Sequence, residues 1–526
     1  MRPKIISAAD VVKLIPDNAT VCFGGGGAGH AVPDKIMAAL GENFQQTRRP
    51  RHLTLLHPRG IGDNDRRGLN HLAHEGLVKR AIGGFWGNAP KMTYLAQRNL
   101  IEGYNFPQGV LSHLVRATAG RRPGVITTTG LHTFVDPRLE GGKLNSRTTE
   151  ELVQVIEING QEYLLYQAIP IDVAIIRGTT ADKNGNLTME EEVGFFSMIS
   201  EAQAARCNGG IVIAQVKQID SRRCARPGDV KIPAVLIDYV VEAPDQEMTF
   251  LSPFEPALIE REAPFQADEF ALDSLKQVIA RRAALELFPE AFVNIGYGIA
   301  DGVPIVAQQT GIINQINFLI EQGALGGIPT TGLNFGAMYQ PAAILDDGYQ
   351  FDFFHGGGLD LAFLGFAQID QQGNVNSSRF GNQITGCGGF IDISQNAKKV
   401  VFCGSFTVKS EVEIKNDQLV ILNQGKINKF IEQVQQVTFS GNYARQKGQE
   451  ILYVTERAVF RLVSVGLLLV EIAPGIDLEQ DVLSKMDFRP LVSPSLKLMS
   501  PGLFATHFSE IKSHFVGKRY DQSKGE

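Results

Sequence analysis

Asp172-Val-Ala-Ile-Ile-Arg-Gly-Thr-Thr-Ala-Asp182-Lys-Asn-Gly185-Asn186-Leu187 and Asp360-Leu-Ala-Phe-Leu-Gly-Phe-Ala-Gln-Ile-Asp370-Gln-Gln-Gly373-Asn374-Val375 read as two copies of one phrase. At a constant offset Asp360 stands over Asp172, Asp370 over Asp182 and Gly373-Asn374 over Gly185-Asn186. Each copy opens on an apolar run, 173–176 and 361–366, with the length and composition of a buried strand. Each then enters an Asp-x-x-Gly-Asn turn, a sequence suited to a tight reversal. The same offset lays the apolar run 211–216 over 399–404.

Upstream, a second pair occurs in the same order. Phe292-Val-Asn-Ile-Gly296-Tyr-Gly298-Ile-Ala-Asp-Gly-Val-Pro304 matches 21–33, with Gly25 over Gly296, Gly27 over Gly298 and Pro33 over Pro304. Strand, glycine turn and helix form the layout of an anion-binding loop, in which backbone N–H groups and a helix N-terminus face the ligand. The first copy is not a phosphate loop of the Gly-Lys-Ser/Thr type, and it lacks the acidic residue on a second strand expected of a dinucleotide fold. Two ordered matches predict a duplicated chain: two tandem, structurally duplicated open α/β domains, residues 1–241 and 274–517. A Pro-rich and acidic connector, 242–273, is expected to wrap the surface between them, and a polar tail covers 518–526. The first half holds the longer insertion between its glycine loop and the repeated strand, including Trp86, Tyr104 and 133–145. Helices are expected at 8–15, 34–40 and 275–287, a strand at 19–23, a buried strand within 462–472, and β-rich pieces at 426–439 and 450–465.

Composition narrows the function classes. The chain has 526 residues, 44% hydrophobic and 20% charged, with a net charge of −6. That is an ordinary globular composition, and the acidic balance argues against a nucleic-acid partner. Five scattered cysteines, Cys22, Cys207, Cys224, Cys387 and Cys403, show no metal-ligand spacing and fit a reducing compartment. No metal site is expected. Residues 1–10 lack the apolar core of a signal peptide, and no run reaches the length of a membrane span. A cytoplasmic protein without membrane attachment is the expectation.

The chemistry centres on Asn317-Phe-Leu-Ile-Glu321-Gln-Gly323-Ala-Leu-Gly-Gly-Ile-Pro-Thr-Thr-Gly332. A short apolar strand ends on Glu321 and passes at once into glycines. In open α/β sheets, ligands bind beyond the carboxyl ends of strands. A carboxylate there is placed to act as a nucleophile. Taken alone, a solvent-facing glutamate at a strand end would read the same.

With Glu321 in a Glu-x-Gly turn, two glycine loops and two α/β halves, the chain resembles a family I coenzyme A transferase. It is most similar to propionate or acetate CoA-transferases whose halves are fused. The resemblance covers nearly the whole chain. It rests on 321–323, 133–145, Phe353-Phe-His-Gly-Gly-Gly-Leu-Asp360, Gly386-Cys-Gly-Gly-Phe-Ile-Asp392 and Tyr453-Val-Thr-Glu-Arg-Ala-Val-Phe460. Departures are Ile-Glu321-Gln-Gly where many members have Ser-Glu-Asn-Gly, and Gly25-Gly26-Gly27 where Gly-Gly-Phe is common.

The resemblance implies that Glu321, ionised at neutral pH, carries first an acyl group and then CoA, in a ping-pong exchange between short-chain acyl-CoA and free carboxylic acids. It implies an oxyanion site at Gly388 and Gly389. Substrate and CoA contacts are expected at Gly25, Gly26, Gly27, Gly296, Gly298, Gly323 and Gly386, with Arg138 and Lys143 meeting an anion. Coenzyme A is then substrate rather than a permanently bound cofactor, and a homodimer or homotetramer is expected. His355 and His30 could position substrate or be structural; Asp172 and Asp360, at matching places in the repeat, are expected to be structural. Competing readings are an acyl-CoA hydrolase on the same scaffold, a non-catalytic α/β ligand-binding or regulatory protein, and a nicotinamide dehydrogenase.

Overall fold

The computed structural model describes residues 2–265, 272–506, 508 and 510–517. The expected tail 518–526 and residues 266–271 of the expected connector lie outside them. The first sheet runs Lys4–Ile5, Tyr239–Glu242, Ile211–Ile219, Val173–Ala181, Thr20–Phe23, Leu53–His57, Val78–Gly83, Glu102–Asn105, with every neighbouring pair parallel. The second sheet contains Glu450–Val454, Lys399–Cys403, Leu361–Gly365, Phe292–Ile295 and Asn317–Leu319, again parallel and in that order. These five strands follow the same spatial order as Tyr239–Glu242 through Leu53–His57, so the repeat in the sequence is a repeat of topology.

The duplication extends to individual hydrogen bonds. Asp172 Oδ2 accepts from the Thr20 N–H at 2.8 Å, and Asp360 Oδ2 accepts from the Phe292 N–H at 2.9 Å. Each aspartate pins the strand that leads into a glycine loop. In the turns, Asp182 Oδ1 accepts from the Asn184 and Asn186 N–H groups, and Asp370 Oδ1 accepts from those of Gln372 and Asn374. Both pairs of aspartates are structural.

The central strands are apolar because both faces are covered, as parallel sheets require; Val173 to Ile176 are all buried. Helix Asp34–Thr47 covers one face through Ile36, Met37, Leu40, Gly41 and Phe44, the spacing of a helical stripe. It runs past the expected end at 40 and stops at Arg48, in a left-handed conformation. The expected helix at 8–15 is a single α-turn, Ala8–Val11, continued as a 3-10 turn. Helix Ser274–Ala284 lies where the second half was expected to open.

The apolar run 462–472 is not one strand. It turns between Ala458–Val463 and Gly466–Ile472, antiparallel neighbours, and Gly466 takes a φ of +131° that glycine tolerates. Residues 426–439 supply only the short strands Ile427–Asn428 and Phe430–Ile431. The first half's longer insertion contains two further parallel strands and a three-stranded antiparallel sheet, Gly124–Thr127, Gln161–Gln167 and Val153–Ile158. The connector does more than wrap the surface. Met248 and Leu258 are buried with Val193 of the first half and Ala337 of the second.

Candidate active site

Glu321 owes its position to a four-residue turn. The Gly323 N–H donates to the Ile320 carbonyl at 2.9 Å, and Leu345 N–H donates to the Gly323 carbonyl. Gly323 has φ +110°, and a Cβ built there would lie 2.1 Å from the Leu345 carbonyl oxygen. Gly323 therefore shapes the turn that carries Glu321. The preceding residues Phe318 and Ile320 are buried in the second core, so the turn rests on a fixed base.

The Glu321 carboxyl is partly buried. Burial, and secondarily the charge of Asp392, pushes its pKa up to about 7, against a smaller lowering by Gln322. This upward shift works against the full ionisation at neutral pH expected of free glutamate. A group poised near the operating pH is characteristic of catalytic positions.

Over the carboxyl lies the glycine turn 386–389. A Cβ on Gly389 would sit 3.1 Å from Glu321 Oε2, so only glycine lets the backbone come this close. The two glycines expected to donate to an oxyanion differ. The Gly388 N–H is already spent on the Gly84 carbonyl at 2.8 Å. The Gly389 N–H has no acceptor among the described residues. The expected pair of donors therefore reduces to Gly389, with Gly388 a structural residue at φ +52°. Gly386 also serves structure: its N–H donates to Ser378, and a Cβ there would press on Asn105, Gly84 and Trp86.

This turn belongs to the second half but is anchored on the first. Asn105 Oδ1 accepts from the Cys387 N–H at 2.9 Å, and the Gln108 N–H donates to the Gly388 carbonyl at 2.9 Å. Asp392, fully buried, accepts from the Gly109 and Val110 N–H groups at the start of helix Gln108–Ala119. A carboxylate at a helix N-terminus satisfies otherwise orphaned donors and opposes the helix dipole. His355 Nε2 lies 2.8 Å from Asp392 Oδ1, which makes His355 a partner of this anchor. Asn105, Gln108 and Asp392 were not singled out from the sequence, because their partners lie in the other half of the chain. Gly194 of the first half also reaches the site; a Cβ there would be 3.3 Å from the Gln322 carbonyl oxygen. Beside the Glu321 turn, the buried amide oxygens of Asn294 and Gln322 have no partner among the described residues.

The two glycine loops, alike in sequence, differ in exposure. Gly25 and Gly26 are buried. Gly26 and His30 exchange both backbone hydrogen bonds at 2.9 Å, and Gly25 accepts Arg59 Nε through its carbonyl. A Cβ on Gly27 would lie 3.0 Å from His30 Nδ1, and burial pushes that imidazole down to about 4. The first loop is thus folded on itself, with Gly25 and Gly26 engaged in internal hydrogen bonds. The second loop is open: Gly298, at φ +100°, has nothing within 4 Å of a built Cβ, and Tyr297 is exposed. Gly296 donates its N–H to Phe363, which closes the strand end. Arg138 and Lys143 do not offer free charge. Arg138 is paired with Asp136 and Glu162, and Lys143 with Glu151. An anion meeting either residue would compete with these local ion pairs.

Among the described residues no helix is long and apolar enough to cross a membrane. Residues 5–243 match the family model for coenzyme A transferase. The chain is 44% identical over 513 residues to the acetate CoA-transferase YdiF of Escherichia coli (strain K12), spanning 96% of this chain and 95% of that protein. It is 45% identical over 511 residues to the caffeate CoA-transferase of Acetobacterium woodii, spanning 95% and 97%. The crystal structure of the acyl-CoA transferase YdiF of E. coli O157:H7 in a thioester complex with CoA superposes with a TM-score of 0.92 at 43% identity, covering 97% of both chains. The chain belongs to the coenzyme A transferase family and is a CoA-transferase.

Proposed function

We propose that Glu321 carries CoA covalently and that the substrates are short-chain acyl-CoA thioesters and free acids of the acetate and propionate class. The observation that carries this reading is the Glu321 carboxyl, held at a strand-end turn beneath Gly389. An ionised Glu321 oxygen attacks the thioester carbonyl; the C–S bond breaks and CoA leaves as thiolate, which gives a mixed anhydride. The thiolate then attacks the Glu321 carbonyl carbon, the C–O bond to the acyl group breaks, and the first acid departs as carboxylate. A glutamyl-CoA thioester remains. The second carboxylate reverses these steps and leaves as the new thioester. The Gly389 N–H, without an acceptor among the described residues, is the donor available to a developing oxyanion at Glu321, and one such donor is worth about 2.7–4 kcal/mol where measured.

The test uses the full chain with acetyl-CoA and no acceptor. Intact mass should rise by one CoA with loss of water, borohydride should remove the adduct, and Glu321→Ala should abolish both adduct and transfer. Transfer near the wild-type rate by Glu321→Ala would overturn this assignment. Thioester loss to water, with none passed to added acid, would favour hydrolysis instead.

The same reading covers assembly and compartment. A homodimer or homotetramer is expected, since strand Leu491–Leu498 closes one end of the second sheet with Leu491 and Leu498 exposed. Light scattering at the mass of a single 57.4 kDa chain would contradict it. The five cysteines are free thiols, in keeping with a reducing cytoplasm; recovery in an oxidising fraction on cell fractionation would count against that placement.

A further inference from the structure

Phe85 flanks the same glycine turn as the nucleophile, on the side of the first half. A Cβ on Gly388 would lie 3.6 Å from Phe85 Cδ2, as one on Gly389 would lie 3.1 Å from Glu321 Oε2. The ring is held in place by absent side chains. A Cβ on Gly60 would fall 2.6 Å from Phe85 Cδ1, and one on Gly87 would fall 2.8 Å from Cζ. Gly84 and Trp86, on either side of Phe85, are tied to the turn region through the Gly388 N–H and the Thr385 carbonyl. Phe85 is nonetheless only partly buried, whereas Trp86 is fully buried. A large apolar ring is thereby fixed at the edge of the reaction centre without being consumed by the core.

The two sides of the centre differ. The open second loop at Tyr297 and Gly298 leaves room for the long CoA moiety. Phe85 stands on the first-half side of the glycine turn whose next residue, Gly389, lies against Glu321. We propose that Phe85 sets the upper size of the acid accepted, by filling the space that the distal carbons of a larger acyl group would take. This inference rests on Glu321 as the acyl carrier. It also supplies a physical distinction between acetate-sized and aromatic acids, both of which occur among the names of relatives of equal similarity.

The experiment is a competition in one vessel, acetyl-CoA as donor with propionate and 3-phenylpropanoate as acceptors, for wild type, Phe85→Ala and Phe85→Leu. The product ratio gives relative kcat/KM and is independent of how much enzyme is folded, so a merely structural role for Phe85 would leave it unchanged. Differences of one methylene in an apolar pocket change selectivity by about 10–200-fold. Phe85→Ala should therefore move the ratio at least about 10-fold toward 3-phenylpropanoate, and Phe85→Leu should move it the same way by less. An unchanged ratio in either active variant would overturn the inference while leaving the transferase reading intact. A wild type that forms neither product from these acids would overturn the short-chain reading and this inference with it.

Discussion

In the proposed role Glu321 must be ionised to attack, yet its surroundings favour the neutral acid. Burial removes water from the charged form, and the nearby Asp392 carboxylate adds like-charge repulsion, so the pKa rises to about 7. Transfer kcat/KM should accordingly climb as pH rises through about 7 and level off above it. A profile already flat down to pH 5 would show that the carboxyl ionises as ordinary glutamate does. The sign for stability is opposite. The native state holds this proton more tightly than the unfolded chain, so the contribution is full below the unfolded value and is lost as pH rises through the folded one. An enzyme that gains activity between pH 6 and 8 gives up stability over the same interval, which is the pattern of a site strained for function. Little of this was legible in the sequence. Glu321 could be found from its strand-end position, but its proton affinity depends on a carboxylate from a distant helix. Gly388 and Gly389 are indistinguishable as letters, and only the Gly84 carbonyl, which takes one N–H and leaves the other, separates them. For Arg138 a warning was available, since Asp136 stands two residues away and binds it.

At the scale of elements, the short helix Phe390–Ser394 connects chemistry to architecture through Asp392. That residue caps helix Gln108–Ala119 from across the chain, meets His355, and repels charge on Glu321. Asp392→Asn keeps an oxygen for capping but removes the negative charge. The rising limb of the pH profile should then move to lower pH, while the fold persists with a loss of about 1 kcal/mol for weakened capping. A limb that stays in place, measured by kcat/KM from pH 5 to 9, would show that burial alone raises Glu321. The strands that carry these elements were the most legible part of the molecule, because parallel strands buried on both faces leave continuous apolar runs. Their repeat at a constant offset, down to Asp172 and Asp360, made the duplication readable from one chain. The connector was misjudged for a related reason. Its apolar residues, Met248 and Leu258, are spaced without helical or strand period, so nothing local announces that both halves bury them.

Across the whole molecule, the site exists only where the halves meet, and one buried ion network spans that junction. Arg59 of the first half donates to Asp347 of the second at 2.8 Å, to Glu201 at 2.7 Å and to the Phe196 carbonyl at 2.6 Å, and all three charged residues are almost fully buried. Ser112 and Ser197, both of the first half, donate to the two Asp347 oxygens at 2.8 and 2.6 Å. Two carboxylates share one guanidinium, and they do not share it equally. Burial pushes Glu201 up to about 8, with Asp347 adding repulsion, so Glu201 holds its proton more readily than an ordinary glutamate. The two substitutions should therefore differ. Asp347→Ala strands a buried guanidinium and should cost about 3–5 kcal/mol. Glu201→Gln at pH 7 keeps a neutral acceptor and should cost about 1 kcal/mol, the worth of one altered hydrogen bond. Because the native state holds the Glu201 proton, wild type should also lose stability as pH rises through about 8, and Glu201→Gln should flatten that loss. Urea unfolding at pH 7 and pH 9 measures all three quantities. The Asp347→Ala curve should further separate into two steps, since the tie between halves is the interaction removed. Equal costs for the two variants at pH 7 would mean that both carboxylates are ionised and that Arg59 is held as strongly within the first half as across the junction.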